Sequence, residues 1–130
     1  MNSTALACTT VLGLLLFVLG LATSIERSRV GALTGYASEP DRLLTKLVRA
    51  HGNTAEYVPF LAVIFLYIGA QNAPQWQIWC MVGATVCRLL LVVGLLAWPS
   101  MSKPNLARAI GGTGTYIFGT ALCVALIIGH

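Results

Sequence analysis

Charge is what this sequence has least of. Its 130 residues include only eight Lys or Arg and four Asp or Glu, a charged share of 9% where soluble domains carry about a quarter. With 57% hydrophobic residues and a mean hydropathy of +0.80, it reads as an integral membrane protein with no room for a soluble domain. Basic residues are missing from Met1 to Leu21 and appear only afterwards, at Arg27 and Arg29. A secretory signal has the opposite order, so the first apolar run is expected to stay as a span. No acid precedes Glu26, which removes the helix-one carboxylate expected of a small multidrug exporter. Cys8, Cys80, Cys87 and Cys123 form no Cys-x-x-Cys pair and have no neighbouring His, so metal or redox spacing is absent. They read as small apolar packing residues. Internal repeats and low-complexity runs are absent as well.

What is present falls into four apolar stretches: Ala5 to Ile25, Leu43 to Gly69, Trp76 to Trp98 and Leu106 to Gly129. Each is near or above the roughly 20 residues a helix needs to cross the hydrocarbon core. The reading is all-α: a single four-span bundle over residues 1–130. Arg27, Arg29, Arg42, Lys46 and Arg49 surround the first connection, Lys103 and Arg108 the third, and Gly69 to Gln75 is uncharged. The positive-inside rule then makes loops one and three cytoplasmic and puts both termini outside. Charges split between short loops form no basic stripe, which excludes a nucleic-acid partner.

Local signals add punctuation. Pro40, after Glu39 and before Asp41, is placed to start helix two, and Pro104 to open helix four. Trp76, Trp79 and Trp98 bracket helix three like interfacial aromatics. Helix four carries small residues at four-residue intervals, Ala107, Gly111, Thr115, Gly119 and Cys123, a row that lets helices approach within one bundle or between subunits. Gly13 and Gly20 on helix one suggest a similar contact.

Helix two holds the chemistry. Arg42, Lys46, Arg49, Asn53 and Glu56 fall within roughly 80° of one face at about 100° per residue, with Tyr57 beside them. His51 points nearly opposite and reads as structural. Ionisable groups at membrane depth are costly unless paired, so this face must line a wet cavity or be covered by protein. Pro59 is expected to bend the helix beside Glu56. Arg88, alone in an apolar run, shares a depth with Glu56 and is its expected ion-pair partner. One acid still faces Arg27, Arg29, Arg49, Arg88 and Arg108, an excess that wants an anion. A ligand with two carboxylates and one ammonium would suit it. Arginines take carboxylates bidentately, Glu56 takes the ammonium, Asn53 a peptide amide, and a spare arginine lowers a thiol pKa. Glutathione is such a molecule.

The run Arg49 to Phe60 (RAHGNTAEYVPF), with Lys46 before it and Arg27-Ser28-Arg29 ending helix one, resembles the signature of the MAPEG family. These are membrane-associated proteins of eicosanoid and glutathione metabolism. The resemblance implies a homotrimer of four-helix subunits with glutathione held between neighbours near the cytoplasmic side. It implies contacts from Arg49, Asn53 and Glu56, with Tyr57 following, from Arg27 or Arg29 at the end of helix one, and from Arg88. Arg108 corresponds best to the thiol-activating arginine. A lipophilic electrophile would enter from the bilayer between helices one and four of adjacent subunits. Eicosanoid-processing members carry tyrosines where Leu91 and Leu95 stand, and prostaglandin synthase a serine at Ala109. The resemblance thus implies a glutathione transferase or peroxidase, and the short loops fit a bacterial inner-membrane member. The alternatives are a glutathione binder without catalysis, a purely structural membrane protein and, more remotely, a small multidrug exporter.

Overall fold

The computed structural model describes residues 1–35, 39 and 42–128. Four α-helices make up the fold: α1 (Ser3–Val30), α2 (Leu43–Gly69), α3 (Gln75–Leu96) and α4 (Leu106–Ile128). Three of them, α1, α3 and α4, are long and apolar enough to cross a membrane. The fourth expected span, α2, has the length but not the composition, because Lys46, Arg49, Asn53 and Glu56 occupy its first half. The chain is an integral membrane protein whose polar helix runs beside three apolar ones.

The expected start of α2 at Pro40 and Asp41 lies outside the described residues. The described helix begins at Leu43 and continues unbroken through Pro59. At α4 the proline is not the first helical residue. Asn105 stands between it and the helix, and the Asn105 Oδ1 accepts the Arg108 backbone N–H at 2.8 Å. An amide at this position satisfies one of the four N–H groups that a helix start leaves without partners.

Neighbouring helices run antiparallel. Asn2 N donates to Gly69 O at 2.7 Å, tying the start of α1 to the end of α2. At the other end, the buried Lys46 Nζ donates to Trp98 O (2.7 Å) and Pro99 O (3.2 Å), so α2 begins where α3 ends. Close pairing is strongest between α1 and α2 and between α3 and α4. Leu12, Ile64, Phe65, Ile68, Met81 and Leu122 fill the core of the uncharged half, while Leu19, Leu47, Ala50, Leu91 and Leu95 form a smaller core in the charged half. Phe17, Val18 and Leu21 of α1 and Ile117 and Ile127 of α4 remain exposed, as lipid-facing side chains do.

The small-residue row on α4 works inside the chain. A methyl group on Gly111 would sit 2.6 Å from Leu91 N and 2.7 Å from Cys87 O, so only glycine lets α4 lie this close to α3. Thr115, one turn on, is buried and donates to Gly111 O at 2.7 Å. On α1, Gly20 faces the His51 ring, whose Nε2 is 3.1 Å from the position of a β-carbon there, so His51 belongs to the α1–α2 contact. Within the chain Gly13 makes no such contact: nothing lies within 4 Å of its β-position.

Asn105 also donates through Nδ2 to Gly94 O at 3.0 Å, fastening the start of α4 to the end of α3. Asn105→Ala should therefore lower stability by about 2 kcal/mol, combining a lost cap with a buried carbonyl left unpaired. Thermal unfolding in detergent followed by circular dichroism measures it, and an unshifted transition would contradict the assignment.

Candidate functional site

Three helices deliver polar groups to one groove at the charged end. The first half of α2 supplies Arg49, Asn53 and Glu56, the middle of α3 supplies Arg88, and the first turn of α4 supplies Arg108. One hollow of about 380 Å³ is lined by Arg49, Gly52, Glu56 and Arg108, and a second of about 510 Å³ by Arg49, Asn53, Arg88, Arg108 and Tyr116. Both are also bounded by Met101 and Ser102 of the α3–α4 loop, so they are lobes of one cavity.

Its depth is set by backbone packing. A methyl group on Gly94 would lie 2.8 Å from Arg108 N and 2.9 Å from Asn105 Oδ1, so the bare glycine admits the first turn of α4 against α3. Arg108, half-buried there, donates from Nη1 to Met101 O at 2.7 Å. That uses one of the five N–H donors of a guanidinium.

Arg88 is the most unusual group. Its side chain is only 1% exposed, its Nη2 donates to Asn53 Oδ1 at 2.7 Å, and its guanidinium lies over the Tyr57 ring, 5.0 Å from the centroid. Its Nε has no hydrogen-bond partner among the described residues. The expected Glu56–Arg88 ion pair is not formed. The ion pairs among the described residues are Arg29–Glu26 (3.2 Å) and Arg42–Glu39 (2.9 Å), both near the first connection. The reason is helical: Asn53 and Glu56 lie about 60° apart around α2, and the residue on the α3 side takes the guanidinium. Glu56 stays on the exposed side, lining the groove. A cation taken out of water is strongly disfavoured unless hydrogen bonds or an anion compensate it. Asn53 and the face of Tyr57 supply dipoles to Arg88, and neither carries a negative charge.

The remaining cations divide between the groove and the scaffold. Arg49 is exposed along both lobes. Lys46, expected in the same stripe, is instead drawn to the carbonyls at the end of α3, where the helix dipole favours a positive charge. Arg27 and Arg29 are not brought to the groove by this chain: Arg27 Nη1 donates to Leu33 O at 3.1 Å and Arg29 holds Glu26.

Two residues that border the larger hollow, Asn105 and Tyr116, were not singled out from the sequence. Asn105 carried a signal, since an asparagine just before a periodic apolar run is a helix-start residue. Tyr116, eight residues after Arg108, faces within about 80° of it around α4, which periodicity could have revealed. Tyr57 Oη donates to Tyr116 Oη at 3.3 Å, with ring centroids 5.9 Å apart.

Three arginines and one glutamate thus border a cavity, one of the arginines buried without a countercharge. Such a site favours an anionic ligand that also carries a positive group. The sequence profile of the MAPEG family matches residues 5–128. No curated protein and no solved structure matches the chain.

Proposed function

The chain belongs to the MAPEG family of membrane proteins in eicosanoid and glutathione metabolism, and on that premise we propose that it is a membrane glutathione transferase. The observation that carries this reading is Arg88, a guanidinium 1% exposed and lacking a carboxylate partner among the described residues. A bound carboxylate would compensate it, with Arg49 taking the second carboxylate, Glu56 the α-ammonium and Asn53 a peptide amide.

Arg108 is the thiol-activating residue in this reading. It stands in the first turn of α4, where the helix dipole also favours negative charge. The thiol releases its proton to water, and the thiolate is held by the guanidinium. Its sulfur then attacks an electrophilic carbon, forming the S–C bond as the leaving group departs with its electron pair. Arg27 or Arg29, remote from the groove in one chain, is supplied by a neighbouring copy in a homotrimer. The electrophile arrives from the bilayer between helices one and four of adjacent subunits. The two charged connections face the cytoplasm of a bacterial inner membrane.

The test is direct. Protein in detergent should bind glutathione by calorimetric titration and show thiolate absorbance near neutral pH, because a nearby cation favours the charged form. Arg108→Ala should return the thiol pKa toward its solution value and slow conjugation of an aryl halide about 10- to 100-fold, with a smaller change in affinity. Binding without a thiolate signal would identify a non-catalytic binder. Undiminished turnover in Arg108→Ala would reassign thiol activation to another arginine.

A further inference from the structure

Behind the cationic groove lies a second kind of space. An apolar cleft of about 330 Å³ runs between α2 and α4, lined by Phe60, Leu61, Ile64, Gly119 and Cys123, with Glu56 and Tyr57 at its mouth. Tyr116 is the one described residue that borders both this cleft and the larger lobe containing Arg88 and Arg108. Its side chain is 57% exposed. Its hydroxyl oxygen already accepts a hydrogen bond from Tyr57 Oη, at 3.3 Å. A hydroxyl turns about its C–O bond, so while Tyr57 donates to it the Tyr116 O–H can point at a bound ligand.

The chain behind it is ordered. Arg88 lies over the Tyr57 ring, a cation–π contact that holds the ring and its hydroxyl in place. Tyr57 in turn positions Tyr116, through the hydroxyl contact and the tilted packing of the two rings. On α3, Leu91 and Leu95 are buried apolar residues, so the phenol hydroxyls of this site come from α2 and α4.

The geometry points to Tyr116 as an oxyanion donor for the electrophile, selecting α,β-unsaturated carbonyl compounds whose apolar tail lies in the cleft. The inference rests on the glutathione-transferase reading above. The glutathione sulfur attacks the β-carbon and the S–C bond forms. The π electron pair of the alkene moves toward the carbonyl, leaving an enolate oxygen. Tyr116 Oη donates a hydrogen bond to that oxygen while the α-carbon takes a proton from water, replacing the one released when the thiol ionised. A donor aimed at developing charge strengthens in the transition state and acts on turnover. Displacement at a benzyl halide makes no oxyanion, since the charge departs on the halide, and draws less on this donor.

The experiment compares the two substrate classes on the same detergent-solubilised preparation. Tyr116→Phe should lower the ratio of enone to benzyl-halide kcat/KM by about 10- to 100-fold, below the range for a fully enclosed oxyanion donor because Tyr116 is partly exposed. The ratio does not depend on the fraction of protein that folds. Tyr57→Phe, a positioning variant, should shift it in the same direction by a smaller factor. An unchanged ratio in Tyr116→Phe would overturn the inference while leaving glutathione transfer intact. Wild-type protein that conjugates neither substrate would overturn the transferase reading and this inference with it.

Discussion

Arg88→Met should weaken glutathione binding by about 30-fold to several thousand-fold while leaving the unliganded protein near its parent stability. The two halves of this result have separate causes. Removing a desolvated charged partner of a ligand typically costs 2 to 5 kcal/mol of affinity. In the free protein, by contrast, methionine removes a buried cation that has no countercharge, and with it the cost of keeping that charge out of water. The Asn53 carboxamide loses its donor at the same time, which offsets part of that gain. Arg49→Ala and Glu56→Gln should also weaken binding, by smaller factors because both side chains are exposed along the groove. Calorimetric titration beside thermal unfolding reads both quantities. Affinity within threefold of wild type would remove Arg88 from the binding set, and a collapsed Arg88→Met protein would make it part of the scaffold.

The second large effect is steric. Gly111→Leu should destabilise the bundle by about 3 kcal/mol or more, because its side chain meets the backbone of Leu91 and Cys87, which cannot swing aside. Gly112→Ala is the comparison. Nothing lies within 4 Å of the β-position of Gly112, and alanine favours a helix over glycine by up to about 1 kcal/mol. One residue of displacement along α4 should thus change the sign. Equal unfolding temperatures for the two variants would refute the close α3–α4 contact.

The pattern of what the sequence disclosed follows from the range of each signal. Hydropathy and helix periodicity act along one element, so the four helices and the shared face of Arg49, Asn53 and Glu56 were legible. The low charge of the chain identified the membrane setting for the same reason. Choices between neighbours were not legible. Lys46 and Arg49 are one turn apart, yet the first reaches the end of α3 and the second lies along the groove. Equal depth suggested Glu56 for Arg88, but a rotation of about 60° around α2 gave the contact to Asn53. Long cationic side chains reach several ångströms in many directions, and periodicity fixes only their origin. His51 was placed away from the polar stripe correctly, although its ring partner, Gly20, needs three-dimensional proximity to be seen. Arg27 and Arg29 remain apart from the groove because a single chain holds α1 on the side of α2.

The pairing of α1 with α2 and of α3 with α4 also bears on how the protein is made. Each pair is a hairpin whose contacts run on to the ends far from its connection, as the bond from Asn2 N to Gly69 O does. The connection between α2 and α3, residues 70–74, is the shortest of the three, so closing it loses the least entropy. Arg88 and Asn53 sit on α3 and α2, the two helices that this connection joins. During synthesis α2 precedes α3, so the carboxamide that receives the arginine is already present on the neighbouring helix when Arg88 enters the bilayer.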